Sequence, residues 1–254
     1  MSDLSAFSLA GKTVMVTGAN TGIGQGIALG LGRAGARVIG VGRSSMDETA
    51  ALLAEIGAPF EALSADLGST AAAQAMFEAA WAAHGPIDGL VNNAGIITRV
   101  DAVDFTEEDW DRVMDINLKT MFFLCQALGR KALAAGRPAR IVNIASMLSF
   151  QGGIRVASYT ASKSGVLGIT RLLANEWAGR GINVNAIAPG YIETNNTEAL
   201  RGDPDRSAAI LGRIPAGRWG LPADIGDAAV FLMAPASNYV HGAVIPVDGG
   251  WLAR

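Results

Sequence analysis

The chain reads as an α/β domain built on a parallel sheet, and three observations carry that reading. Six short apolar, β-branched runs recur at 13–16, 38–41, 87–91, 141–144, 184–187 and 244–247, with helix-period stretches between them. A glycine-rich turn joins the first run to the first of those stretches. The 254 residues are 50% hydrophobic and 17% charged, enough for one domain that buries roughly 70–75% of its unfolded surface.

Taken in order, the run at 13–16 predicts the first strand. Ile23, Ile27, Leu31 and Ala34 then form a helix stripe that packs on a sheet, and Gly35 ends it. The second strand is expected at 38–41, a helix over the alanine-rich patch Ala71-Ala72-Ala73, and a strand at 87–91. The apolar run 121–128 is helical and holds Cys125, which reads as a buried core thiol. After the strand at 141–144, a long helix over about 157–178 carries Val166, Leu167, Ile169, Thr170, Leu172 and Leu173, with Gly179 and Gly181 as its stop. Beyond the strand at 184–187 the rhythm breaks. Segment 191–221 contains Asn195-Asn196, Asp203-Pro204 and Ile214-Pro215, is too long for an ordinary connection, and is expected to be a substrate lid. The final strand is expected at 244–247. With no repeat, charge block or low-complexity linker, the chain is read as a single domain over 1–254.

Composition excludes several functions. No apolar run approaches the eighteen or so residues of a membrane span. The start, Met1-Ser2-Asp3-Leu4-Ser5, places an acid where a secretory signal carries positive charge, so a cytoplasmic protein is expected. One cysteine allows no intrachain disulfide, and with only His84 and His241 beside it no metal site is expected. A net charge of −3, with scattered cations, gives no footprint for nucleic acid or a membrane surface. The expected partner is a small molecule.

Two motifs carry chemistry. Thr17-Gly18-Ala19-Asn20-Thr21-Gly22-Ile23-Gly24 follows the first strand and opens the first helix. Glycines let backbone approach a phosphate closely, and a helix N-terminus presents free N–H groups and a positive dipole to it. Tyr159 and Lys163, four apart near the start of the long helix, stack on one face, so an ammonium can lie beside a phenol whose ordinary pKa is about 10. A fixed cation favours the phenolate and brings the group toward the working range of a general acid/base. At the end of the second strand, Gly42 stands where an acid would hold the ribose 2′-hydroxyl of NAD, and Arg43 follows, with Ser44 beside it. Arg favours the 2′-phosphate of NADP, so the cofactor is read as NAD(P)(H) with a lean to NADP(H).

Together, Thr17-Gly18-x-x-x-Gly22-x-Gly24, Asn92-Asn93-Ala94-Gly95, Asn117, Ser146, Tyr159-x-x-x-Lys163 and Pro189-Gly190 resemble, in order and spacing and over the whole chain, the short-chain dehydrogenases/reductases. The resemblance implies a Rossmann-type doubly wound parallel sheet with substrate bound outside the carboxyl ends of the strands. It implies Tyr159 as general acid/base, Lys163 lowering its pKa and holding the nicotinamide ribose, Ser146 hydrogen-bonding the reacting oxygen and Asn117 supporting a relay water. Its cofactor set here is Gly18, Asn20, Thr21, Gly22, Ile23, Gly24, Arg43, Ser44, Asp66 at the adenine, Leu67, Asn93, Ala94, Gly95, Tyr159, Lys163, Pro189, Gly190, Ile192 and Thr194 at the carboxamide. A homotetramer with Gly249-Gly250-Trp251 near an interface is also implied.

A narrower likeness lies in the runs 145–156, 188–191 with 194–197, 213–220 and 248–254, which are similar to the 2-dehydro-3-deoxy-D-gluconate 5-dehydrogenase subgroup, also called 2-deoxy-D-gluconate 3-dehydrogenases. That subgroup is mainly NAD-linked and lacks Arg43, a departure in this chain. The likeness implies a deoxy sugar-acid substrate, whose carboxylate suits a guanidinium. Arg99 and Arg155 are the candidate anchors, with Gln151, Asn195 and Tyr191 beside them and Ser146 and Tyr159 at the reacting oxygen. Arg213 and Arg218 are assigned to lid or helix packing. The alternatives are a 3-oxoacyl thioester reductase, which needs a basic surface for its carrier protein, and a non-catalytic nucleotide-binding protein, against which the complete Asn117, Ser146, Tyr159 and Lys163 set argues.

Overall fold

The computed structural model describes residues 4–254; Met1 to Asp3, on which part of the reading of the chain start rests, lie outside the described residues. Seven parallel strands form one sheet: β1 (Thr13–Thr17), β2 (Arg37–Gly42), β3 (Phe60–Ser64), β4 (Gly89–Asn92), β5 (Ala139–Ile144), β6 (Ile182–Pro189) and β7 (Val244–Val247). Their order is β3-β2-β1-β4-β5-β6-β7, the doubly wound arrangement expected. Chain order reverses direction between β1 and β4, and a crevice opens there at the carboxyl ends.

All six expected strands are present, and β3 is the one the sequence concealed. Phe60-Glu61-Ala62-Leu63-Ser64 has no β-branched residue and is only half-buried, so neither propensity nor an apolar run marks it. Pairing with β2 makes it a strand, and a Cβ at Gly40 would lie 2.7 Å from the Phe60 ring. Gly40 is thus the space into which the edge strand packs.

Alternation along the strands sorts the core into two layers. Val14 and Val16 join Ile27 and Leu31 of α1 (Gly22–Arg33), Leu53 of α2 (Asp47–Glu55) and Ile225 of a helix at Pro222–Met233 on one face. Met15 points the other way, toward Phe77 of α3 (Thr70–His84), Leu124 and Leu128 of a helix at Met121–Ala134, and Val166 and Leu173 of one at Ala157–Trp177. In chain order after α3 the helices are α4 (Glu107–Met114), α5 (Met121–Ala134), α6 (Ala157–Trp177), α7 (Glu198–Arg201), α8 (Pro204–Leu211) and α9 (Pro222–Met233). Each fully buried Ile or Leu in these layers contributes about 1.5–3 kcal/mol.

Segment 191–221 is about half helical rather than one long loop. It holds a tight turn at Asn195–Thr197, then α7 and α8. Asp203 caps α8 by accepting from the Asp205 and Arg206 N–H groups at 3.1 Å, and Pro204 sits in the first turn, where its missing N–H costs nothing. The dipeptide read from sequence as a break is therefore a helix start. Among the described residues, no helix is long and apolar enough to cross a membrane.

Candidate active site

The glycine loop between β1 and α1 is fixed from below. Asn93 donates from Nδ2 to the carbonyl oxygens of Thr17 at 3.0 Å and Gly18 at 3.2 Å, while Thr17 Oγ1 accepts the N–H groups of Asn93 and Ala94, both at 3.0 Å. Gly18 has φ +67°, and a Cβ at Gly24 would lie 1.9 Å from the Gly18 carbonyl oxygen, so a side chain at either position would break the turn. Thr21, at the N-cap of α1, makes no side-chain cap, so the first-turn N–H groups face outward without a side-chain partner. Sequence reading missed the third brace. Thr49, fully buried on α2, donates to the Ala19 carbonyl at 2.9 Å and accepts from Gln25 Nε2 at 3.1 Å. A threonine in a helix gave no local signal, because its partner lies thirty residues away.

Above this loop lies a cavity of about 440 Å³ running from Arg43 and Ser44 at one end to Ser146 and Tyr159 at the other. Every residue expected to contact the cofactor lines it, including Asp66, Leu67, Pro189, Gly190, Ile192 and Thr194. Asp66 Oδ1 also accepts the Gly68 N–H at 3.0 Å, which fixes its carboxylate. The lining contains residues that sequence reading did not single out, notably Ile116, Ile144, Asn196 and Thr197. Thr197 Oγ1 donates to the Ile192 carbonyl at 2.7 Å and accepts the Thr194 N–H at 3.1 Å, shaping the turn that follows β6.

Ser146 ends the β5 side. Its hydroxyl accepts the Leu148 N–H at 3.2 Å and lies near enough to Tyr159 to favour the phenolate. Lys163 is buried, its ammonium 5.7 Å from the centre of the Tyr159 ring and donating to the Ile144 carbonyl at 2.6 Å. Burial lowers it to about 8. Burial also raises the Tyr159 phenol above its ordinary value, and the opposing pulls come from the Ser146 hydroxyl and the charge of Arg99. The net direction is thus opposite to the lowering expected from Lys163. Removing the phenolate from water costs more than its polar neighbours return.

Asn117 lies in a π-helical stretch, Asp115–Thr120, that links α4 to α5. Its Oδ1 accepts the Ile96 N–H at 2.9 Å, and its amide donates to the Ile96 carbonyl at 2.9 Å and to Ser162 Oγ at 3.3 Å. Both amide hydrogens are used, so the side chain braces the loop after β4 against α6 and is absent from the cavity lining. The extra residue of a π-turn turns the side chain inward. A deeper network supports this corner: Asn92 Nδ2 donates to Asn143 Oδ1 at 2.9 Å, and Asn143 Nδ2 to Thr170 Oγ1 at 3.0 Å. Cys125, beside Asn92, is pushed by burial up to about 12, as suits a core thiol.

The proposed substrate residues divide. Asn195 lines the cavity; Arg99 is exposed and outside the lining, but it donates to the Asn196 carbonyl at 3.2 Å and its charge reaches Tyr159. Arg155 is elsewhere: it pairs with Asp101 at 3.2 Å, is more than half exposed, and is absent from the cavity lining. Its backbone has φ +63°, and its carbonyl accepts the Val100 N–H, so it serves as a turn residue. Gln151 Oε1 accepts from Trp251 Nε1 at 3.2 Å, and Tyr191 meets Trp251 and Trp219 edge-on; neither lines the main cavity. Arg213 stacks over Trp251 and Arg218 forks onto Asp224 at 2.8 and 3.0 Å, the packing duties expected of both.

Comparison with known proteins agrees with this geometry. A family model of the short-chain dehydrogenase type, described as Enoyl-(Acyl carrier protein) reductase, matches residues 18–252. The chain is 58% identical over 251 residues to 2-dehydro-3-deoxy-D-gluconate 5-dehydrogenase of Escherichia coli (strain K12), covering 99% of both proteins. Among solved structures it is similar to an Agrobacterium tumefaciens protein described as a 2-deoxy-D-gluconate 3-dehydrogenase, with bound NADP, at TM-score 0.94 and 60% identity, over 98% of this chain and 99% of that one. A Beutenbergia cavernae protein described as an NAD(P)-dependent gluconate 5-dehydrogenase, also with NADP, matches at TM-score 0.94 and 52% identity, over 98% and 100%. The loop, the crevice, the buried Ser146 and Lys163 and the half-buried Tyr159 are accounted for by one membership: the chain belongs to the short-chain dehydrogenase/reductase family.

Proposed function

We propose that this protein interconverts a hydroxyl and a carbonyl on a deoxy sugar acid with NADP(H), in the manner of 2-dehydro-3-deoxy-D-gluconate 5-dehydrogenase. The observation that carries the reading is the continuity of one cavity from the uncapped α1 N-terminus and Arg43 to the Ser146–Tyr159 pair, in a chain 58% identical to that enzyme. The fit to a dinucleotide is physical: open N–H groups suit a pyrophosphate, and Arg43 with Ser44 suits a 2′-phosphate. When bound, the nicotinamide donates or accepts the hydride.

The chain's own residues handle the oxygen and its proton. In the reducing direction Ser146 and Tyr159 donate hydrogen bonds to the carbonyl oxygen, and Tyr159 delivers the proton as negative charge grows there. The raised Tyr159 pKa keeps the phenol protonated and ready to give. Lys163, anchored on Ile144, places its cation under the ring where it stabilises the phenolate left behind. Asn117 keeps the post-β4 loop and α6 in register. Arg99 meets the substrate carboxylate, and 191–221 acts as its lid. The working protein is a single-domain cytoplasmic homotetramer, and sedimentation as a monomer would refute that assembly.

The test is spectrophotometric. NADPH and NADH are each offered with a 3-deoxy-2,5-diketo sugar acid and, separately, with an acetoacetyl thioester. Oxidation of NADPH by the sugar acid alone is expected. No turnover of the sugar acid overturns the substrate, and turnover of the thioester alone favours an acyl reductase.

A further inference from the structure

Trp251 is buried, and segments distant in sequence converge on it. Its indole N–H donates to Gln151 Oε1 at 3.2 Å, the Arg213 guanidinium lies 4.0 Å over its ring, and Tyr191 meets it at 4.8 Å and 65°. Met147 and Ile214 complete the cluster. An indole N–H can only donate, so it dictates which end of the Gln151 amide faces it. The turn that presents Trp251 is itself held. Asp248 accepts the N–H groups of Gly250 and Leu252 at 2.9 Å, and the Gly249 carbonyl accepts the Ala216 N–H at 2.9 Å. Arg254 then donates to the Gly212 carbonyl at 2.8 Å.

One side of this turn is thus attached to the lid segment, at Tyr191, Gly212, Arg213, Ile214 and Ala216. The other is attached to the turn that begins at Ser146, through Met147 and Gln151. We propose that Trp251 is a positioning residue that fastens the lid to the Ser146 turn and thereby sets the width of the substrate end of the cavity, resting on the sugar-acid reading above. It touches none of the reacting groups, and its contacts lie away from Arg43 and the glycine loop. Losing it should therefore weaken capture of the sugar acid and leave cofactor affinity alone.

Trp251→Phe keeps an aromatic ring of smaller size and removes the N–H, while Gln151→Leu removes its acceptor. Each is expected to raise the sugar-acid KM three- to tenfold with NADPH Kd changed less than twofold, and the double variant to be no worse than the worse single one. Singles within twofold of wild type, effects that multiply in the double, or an equal loss of NADPH affinity would overturn the proposal. Hydrogen exchange on NADPH-saturated enzyme supplies a second measurement. Trp251→Leu should speed exchange of amides 198–211 at least tenfold while β1, β4 and β5 stay protected; unchanged lid exchange would refute the fastening. Should wild type fail to turn over the sugar acid, the functional reading falls, yet the exchange result still decides whether Trp251 holds the lid.

Discussion

The Lys163 ammonium lies 5.7 Å from the centre of the Tyr159 ring, but its hydrogen bond, at 2.6 Å, goes to the Ile144 carbonyl at the end of β5. The pair is therefore a phenol over a clamped cation. The sheet, through Ile144, aims a charge carried by α6.

That clamp costs stability. Lys163 has its ordinary value of 10.5 lowered to about 8 by burial, which corresponds to about 3 kcal/mol against the folded state at neutral pH. An unfolded lysine holds its proton up to about 10.5, so the penalty is complete below pH 8 and fades as pH rises toward 10. Lys163→Met is expected to raise Tm at pH 7, to lose that advantage by pH 10, and to abolish turnover. Calorimetry across this pH window checks the sign.

Cofactor preference should follow Arg43. Gly42 leaves the second-strand end open, with only Asn20 Oδ1 at 3.5 Å and Met46 Cε at 3.9 Å from where a Cβ would stand. Arg43→Asp places a carboxylate against a 2′-phosphate and is expected to move the ratio of NADPH to NADH efficiency at least tenfold toward NADH. Steady-state rates with both cofactors measure it.

Thr49 should matter as much as a visible cofactor residue. Thr49→Val keeps the shape and leaves the buried Ala19 carbonyl without its donor, a loss of about 1–3 kcal/mol. A Tm fall of several degrees and a severalfold rise in NADPH Kd are expected, with kcat at saturating cofactor within twofold. Fluorescence titration separates the binding effect from the chemistry.

The two arginines should part company. Arg155→Ala removes only an exposed pair with Asp101, worth at most about 1 kcal/mol, and is expected to change efficiency less than twofold. Arg99→Ala removes the cation whose charge reaches Tyr159 and is expected to cost more than tenfold in kcat/KM for the sugar acid. Equal effects would return the carboxylate anchor to the open.

Much of the site was legible because its spacing is local. Tyr159 and Lys163 share one helix face, and the glycine loop is a contiguous turn, so backbone geometry alone places them. The sheet was legible for a similar reason, since period-two burial of Val14, Met15 and Val16 is written along a single strand. Phe60–Ser64 escaped because its strand character comes from β2 and from the space at Gly40. Thr49 escaped, and so did the bond from Trp251 to Gln151, because the partners lie thirty and one hundred residues away.

By itself the sequence determined the chemistry: a phenol four residues before an ammonium, a hydroxyl upstream, a glycine-rich turn after the first strand, and a glycine where an acid would stand with an arginine next to it. These follow from side-chain identity and short-range backbone geometry. Only the tertiary structure decided that Arg99 bonds the Asn196 carbonyl with its charge reaching Tyr159 while Arg155 pairs with Asp101, that burial raises the phenol, and that Asn117 spends its amide on Ile96 and Ser162. The physical reason is that a charge's field and a polar group's partner depend on what long-range packing brings within a few ångströms and on how much water it removes.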